Sequence, residues 1–286
     1  MQESSCSAIV VFDIDGVVRD VTNSYRRAIA DTVEQFTNGA YRPDQADIDA
    51  LKSEGIWNND WEATQELIYR YFESIGQQRV SATPDQQVRS RSDSAGVSQA
   101  SIDYNALVDF FQSRYRGTNS QHWEGYICHE PLLLQLSYLE QLSAANIPWG
   151  FFSGAPHAEA TYVLERRLGI NSPVLIAMED APSKPDPTGL ITAVQQLEQL
   201  HQVNAAIPVV YVGDTVADMY TVAQARTKVS RTVIGVGILP PHLQATPERL
   251  DDYAAKLLAA GASVIFSNVQ ELTIEEITKL TINNYQ

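Results

Sequence analysis

The run Val10-Val11-Phe12-Asp13-Ile14-Asp15-Gly16-Val17 sets two carboxylates two residues apart, directly after an apolar stretch. Alone, Asp-x-Asp-Gly is equally well a strand-to-loop turn in which Asp caps backbone amides and Gly supplies a positive φ. Three more apolar stretches end in polar residues: Phe151-Phe152-Ser153-Gly154, the segment leading to Ser183-Lys184-Pro185-Asp186-Pro187, and Gly213-Asp214-Thr215-Val216-Ala217-Asp218. Singly, each has a bland account, with Ser153 as a helix N-cap, Lys184 as a solvated loop lysine and Asp214 or Asp218 as another cap. Jointly they do not. On neighbouring parallel strands these ends converge on one crevice, the place where open α/β sheets bind ligands. Asp13, Asp15, Asp214 and Asp218 would repel one another there unless protons or a cation compensate. Mg²⁺, a hard ion usually held by one or two carboxylates and a substrate phosphate, suits that set. Ser153, backbone amides near Gly154 and the point charge of Lys184 would hold the remaining phosphate oxygens. The chemistry this describes is phosphoryl transfer.

Such convergence needs a particular scaffold. Six short apolar runs read as buried strands: Ala8–Phe12, Ile147–Phe152, Val174–Met178, Val209–Val212, Thr232–Val236 and Val264–Phe266. Near-continuous apolar runs imply cover on both faces, and helical stretches such as Thr161–Leu168, Leu190–Leu200 and Leu250–Ala260 separate most of them, with Gly169 and Gly261 at C-cap positions. The expected fold is α/β, a doubly wound, mostly parallel sheet with the first strand central. About 130 residues separate the first strand from the second. Stripes at helical spacing run through that connection: Tyr25, Ile29, Val33 and Phe36; Trp61, Thr64, Ile68, Tyr71, Phe72 and Ile75; Tyr104, Leu107, Val108, Phe111 and Tyr115. The expected organisation is a core of residues 1–18 and 128–286 with an inserted α-helical domain over 19–127. Residues 76–101, rich in Ser, Gln and Arg, read as a mobile surface loop within it.

Composition narrows the partners. Against 35 Asp and Glu stand 20 Lys and Arg, a net charge of −15, which repels nucleic acid and anionic lipid at long range. No apolar run reaches a membrane span, and the MQESSC start is unlike a signal peptide. Cys6 and Cys128 form neither a CxxC nor a disulfide framework, so the expected location is cytoplasmic. The expected partner is a small phosphorylated metabolite, with no nucleic acid or membrane, and the chain a monomer or homodimer.

The four motifs, in this order and followed by the Ala260-Gly261-Ala262-Ser263-Val264-Ile265-Phe266 strand, resemble the haloacid dehalogenase-like superfamily, in its phosphatase branch with a helical cap inserted after the first strand. The resemblance covers nearly the whole chain and implies a Rossmann-like core. It implies that Asp13 is the nucleophile forming an aspartyl-phosphate and that Asp15 is the acid that protonates the leaving alkoxide and then activates water. Ser153 and Lys184 would bind the phosphoryl group. Asp13, the Asp15 backbone carbonyl and Asp214 would ligate Mg²⁺, with Asp218 a ligand or a partner of one. Dehalogenases of the superfamily lack an acid at the position of Asp15, which argues against that activity. Phosphonate cleavage in the family uses a cap lysine, for which this insert offers only Lys52. The motifs leave open transfer to a sugar hydroxyl, as in the phosphomutases of the branch. A signalling receiver would be small and carry its phosphorylated Asp after a middle strand, and a catalytically dead phosphate-binding relative would not be expected to keep all these acids.

Two segments depart from a plain scaffold. After Asp-x-Asp-Gly the chain reads Val17-Val18-Arg19, placing a cation beside the cap hinge; Arg19 reads as a surface arginine, with reach to a second anionic group of the substrate as the other account. The segment 51–61 holds Lys52, two tryptophans and adjacent Asn58 and Asn59, where capped relatives send a turn into the active site. Lys52, Trp57 and Asn58 are therefore expected to choose the substrate; for Asn59, Asp60 and Trp61 that role stands level with a plain one, in which Asn59 or Asp60 caps the next helix and Trp61 packs inside the cap.

Overall fold

The computed structural model describes residues 6–57, 59–79, 99–244 and 247–283. They fall into two compact units, one taking the chain up to Val21 and from Pro131 onward, the other Thr22–Glu130.

Strand β1 (Ile9–Phe12) is Ile-Val-Val-Phe with all four side chains buried. Consecutive residues point to opposite faces of a sheet, so such a strand must be covered on both sides. The others are β2 (Trp149–Phe152), β3 (Leu175–Ile176), β4 (Val209–Gly213), β5 (Val233–Ile238) and β6 (Val264–Phe266), each overlapping one of the six expected runs, with β4 continuing past Val212 and β5 past Val236. Every pairing among the six is parallel, in the order β3-β2-β1-β4-β5-β6. The central place of β1 is as expected: Val10 lies between Trp149 on one side and Val210 on the other. The chain winds outward from β1 to β3 and then returns to β4, so the winding reverses between β1 and β4 and opens a crevice at their carboxyl ends.

Helices α5 (Leu136–Ala144), α6 (His157–Thr161, continued as a wider π turn over Tyr162–Arg167), α7 (Thr188–His201), α8 (Val216–Lys228), α9 (Pro247–Ala260) and α10 (Ile274–Asn283) complete this unit. One face of the sheet packs Ile9, Val11 and Tyr211 against Leu190, Leu197 and Val222 of α7 and α8. Gly169 and Gly261, both at positive φ, end the helices where expected.

The second unit is helical: α1 (Tyr25–Phe36), α2 (Gln45–Lys52), α3 (Asp60–Ser74), α4 (Tyr104–Tyr115) and a 3₁₀ turn at Tyr126–His129. Ile29, Val33, Thr64, Ile68, Leu107, Phe111 and Tyr115 of the three stripes are buried, whereas Ile75 follows the last turn of α3 and is exposed. Asp44 and Asp47 form a capping box on α2, Asn59 caps α3 and Asp103 caps α4. Of the expected mobile loop, residues 80–98 lie outside the described residues; Gln78–Arg79 and Gln99–Ala100 pair as a short parallel ladder.

The chain leaves and re-enters the first unit along two paired segments. Leu133 and Leu134 donate backbone hydrogen bonds to the Val18 carbonyl, Asp20 donates to Pro131, and Arg19 bridges Leu132 in antiparallel fashion.

Candidate active site

The turn after β1 is tight. Asp13 donates its amide to Val212 of β4, and the Ile14 carbonyl collects the amides of Val17, Val18 and Arg19. Gly16, at φ 74°, donates to the Arg19 carbonyl. A Cβ at that position would meet the Asp214 carboxylate, so glycine is required both by its conformation and by what lies beside it.

Around this turn four charged side chains are almost wholly buried. The Lys184 ammonium lies 2.8 Å from Asp13 Oδ1 and 2.7 Å from Asp218 Oδ1, between the rings of Phe152 and Tyr211 at 5.0 and 5.6 Å. Asp218 also accepts from the Tyr211 hydroxyl at 2.9 Å, and from the backbone amide and hydroxyl of Thr215 at 3.0 and 2.5 Å. Thr215 is the N-cap of α8 and Asp218 its third residue, a capping box that orients the carboxylate. One carboxylate oxygen from each of Asp13, Asp214 and Asp218 lies within 4.8 Å of the others.

The electrostatics of the three acids differ. Burial pushes the Asp13 carboxyl up to about 7, against the pull of Lys184 and with the push of Asp218 and Asp15. Asp214 is driven well above the ordinary carboxylate value by burial, then by Asp218 and Asp13. Burial also raises Asp218, but Lys184 and the hydrogen bonds from Lys184, Thr215 and Tyr211 outweigh it and hold this group below its ordinary value. Burial opposes the charge on Lys184, yet Asp13 and Asp218 hold it firmly protonated. Burial and Asp218 raise the Tyr211 hydroxyl well above its usual range, so it stays a donor.

Of the expected site residues, Asp13, Lys184, Asp214 and Asp218 are brought together. Ser153, buried at the carboxyl end of β2 beside β1, accepts a hydrogen bond from the Ala155 amide at 3.1 Å, and half-buried Gly154 follows it. Asp15 stands at the rim with its side chain 25% exposed. Two bland readings are corrected. Lys184 is not a solvated loop lysine but is 5% exposed and doubly ion-paired. Arg19 is not a surface arginine: it is fully buried, because Asp15 and the returning segment at Leu132 enclose it.

In the helical unit, Lys52 is ion-paired to Asp60 at 2.6 Å and lies 5.8 Å from the Tyr25 ring. Trp57 donates its indole N–H to Glu54, which Arg70 holds through two hydrogen bonds. Asn58 lies outside the described residues, and Asn59 caps α3, the plainer of its two readings.

Two members of the site were missed. Tyr211 is a polar tip inside an otherwise apolar strand, and Thr215 opens a Thr-x-x-Asp spacing; both signals were in the sequence, the second as a capping box.

The donor set fits a hard cation. One ammonium faces three buried carboxylates, and the raised carboxyls of Asp13 and Asp214 reflect burial first and the neighbouring acids after it. All-oxygen donors at the carboxyl-end crevice of the sheet match the preference of Mg²⁺.

A family profile described as haloacid dehalogenase-like hydrolase matches residues 8–226. Over 90% of its length the chain is 28% identical to a protein of Phytophthora nicotianae described as imidazoleglycerol-phosphate dehydratase, of which it covers 50%. The chain thus spans about half the length of that relative. Among solved structures, a phosphonoacetaldehyde hydrolase-like protein from Oleispira antarctica superposes with a TM-score of 0.65 at 16% identity, covering 98% of this chain and 95% of that one. A hydrolase from Deinococcus radiodurans described as having bound phosphate and sodium gives 0.58 at 16%, over 98% and 99%. At such identities the superpositions show a shared fold.

Proposed function

Because the chain belongs to the haloacid dehalogenase-like hydrolases, we propose that it is a Mg²⁺-dependent phosphatase, hydrolysing the phosphomonoester of a small metabolite through an aspartyl-phosphate. The observation that carries this reading is the buried Asp13 carboxylate, ion-paired to Lys184 and clustered with Asp214 at the crevice of the sheet. The phosphate bound by the Deinococcus radiodurans hydrolase of the same fold supports it.

In this mechanism a carboxylate oxygen of Asp13 forms a bond to phosphorus as the ester P–O bond breaks, and Asp15 gives its proton to the departing alkoxide. Water then attacks phosphorus, Asp15 takes its proton, and the bond to Asp13 breaks to release phosphate. Ser153, the amides near Gly154 and Lys184 hold the oxygens of the phosphoryl group, while Tyr211 and Thr215 keep Asp218 aimed at Lys184. Asp13, Asp214 and the Asp15 carbonyl would hold Mg²⁺, with Asp218 beside them, and the ion would supply positive charge against the phosphoryl oxygens. Thr22–Glu130 would act as the cap that selects the substrate, through the segment holding Lys52, Trp57 and Asn58.

The test is hydrolysis of a panel of metabolite phosphates with and without Mg²⁺, together with acid trapping of phosphoenzyme. Release of phosphate, a base-sensitive phosphoenzyme, and loss of both in Asp13→Asn by more than about 10⁴-fold are expected, beyond what misplaced acid–base assistance alone removes. Retention of a tenth of the turnover by Asp13→Asn, or full activity after exhaustive chelation, would overturn it. A requirement for a bisphosphate primer would assign a phosphomutase instead.

A further inference from the structure

Arg19 is fully buried, in a turn where the mechanism has no use for a cation. A buried guanidinium loses its hydration at a large cost unless a partner and hydrogen bonds offset it. Its partner is Asp15: Nε and Nη2 both lie 2.6 Å from Asp15 Oδ1. The backbone of Arg19 is held as well, since its carbonyl accepts from Gly16 and it bridges both Asp15 and Leu132. A fixed backbone therefore carries a planar guanidinium that donates from Nε to one oxygen, and sets Nη2 at ion-pair distance from the same oxygen, of a carboxylate that is otherwise at the solvent rim. With Oδ1 engaged, Oδ2 is the oxygen left to face a leaving group.

We propose that Arg19 is a positioning residue that aims Asp15, and that this suits the enzyme to esters of poor leaving groups, alkyl or sugar alkoxides that cannot depart without a proton. The inference rests on the reading of Asp15 as the acid. No bond to Arg19 forms or breaks; the proton passes from Asp15 to the leaving oxygen, and Arg19 fixes where that proton stands. The guanidinium matters here, because it donates from Nε while Nη2 sits against the same oxygen, a placement that the single ammonium of lysine would not reproduce.

The test compares Arg19→Met, Arg19→Lys and Asp15→Asn on a series running from dinitrophenyl phosphate through phenyl phosphate to a simple alkyl phosphate, with melting temperature recorded for each variant. A dinitrophenolate leaves unaided. If Arg19 acts through Asp15, Arg19→Met loses about 10- to 100-fold in kcat/KM, which ends at formation of the phosphoenzyme and so excludes the later attack of water, on the alkyl ester, less than the full contribution of the acid, and little on the dinitrophenyl ester. Asp15→Asn shows the same trend more steeply, the double variant is no worse than Asp15→Asn, and Arg19→Lys falls between Arg19→Met and wild type. A uniform loss across the series in the Arg19 variants, with Asp15→Asn still steep, would overturn the role of Arg19 and leave the mechanism standing. A flat response of Asp15→Asn would overturn the acid itself. Should Arg19→Met fail to fold, the slope of Arg19→Lys against leaving group decides alone.

Discussion

The carboxylate of Asp214 occupies the space a side chain on Gly16 would need: a Cβ there would fall 1.9 Å from Oδ2. The first motif and the fourth, some two hundred residues apart in the chain, are thus fitted to each other at the level of single atoms. Gly16→Ala is expected to lose about 1–3 kcal/mol of stability from the left-handed backbone alone. It must also push Asp214 aside, so the Mg²⁺ concentration for half-maximal activity should rise by about tenfold or more. Denaturant melts and a metal titration of the variant check the two effects separately.

Asp214→Asn and Asp218→Asn should affect stability in opposite directions. The fold disfavours charge on Asp214, whose carboxyl is raised, so a neutral amide in metal-free protein should leave the melting temperature unchanged or higher. The fold favours charge on Asp218, whose carboxyl is lowered, and the amide gives up the Lys184 ion pair and part of the α8 cap. About 3 kcal/mol should be lost there. Paired thermal melts in chelator at neutral pH would read the contrast, and equal losses would contradict it.

Metal-free protein should become less stable as pH rises from about 4 toward 7. Asp13, with its carboxyl at about 7 in the fold, keeps a proton over that range that the unfolded chain has already released. The folded state then binds more protons, and the slope of stability with pH is negative, up to about 1.4 kcal/mol per unit. Above about 7 both states have released the Asp13 proton and its contribution levels off. Mg²⁺ binding should accordingly release protons near pH 6 and release fewer near pH 8.5, which calorimetry in buffers of different ionisation enthalpy would measure.

Phosphonoacetaldehyde with borohydride should leave no adduct on Lys52. Imine formation needs a free amine lone pair, and the Lys52 ammonium is held by Asp60 at 2.6 Å. Intact mass after reduction decides the matter; a trapped adduct would move the chain from ester to phosphonate chemistry.

The sheet could be read in advance because its strands are buried on both faces and so carry unbroken apolar runs, of which β1 and β4 are the plainest. The convergence of Asp13, Lys184, Asp214 and Asp218 followed from the fold those runs dictate. Arg19 did not follow. An arginine after a turn is ordinarily solvated, and the backbone bridge of Arg19 to Leu132 forms only once the chain has completed an excursion of more than a hundred residues. Tyr211 was hidden for the opposite reason, since its ring fits the strand pattern and only its hydroxyl, bonded to Asp218, belongs to the site. The pairing of Lys52 with Asp60 and of Trp57 with Glu54 was illegible for a similar reason, since those acids are as ordinary in the sequence as any on the surface.

The ladder between Val18–Asp20 and Pro131–Leu134 brings the two ends of the excursion side by side within the first unit. The sheet therefore experiences everything from Thr22 to Glu130 as a single loop closed at its base, and the entropy of closing a loop grows only logarithmically with its length. Such a base is a socket: segments of very different size can be exchanged there at little thermodynamic cost to the strands that carry the acids. A short turn joining Val21 to Pro131 should accordingly leave a core that still folds, and a foreign helical module should be graftable at the same two positions.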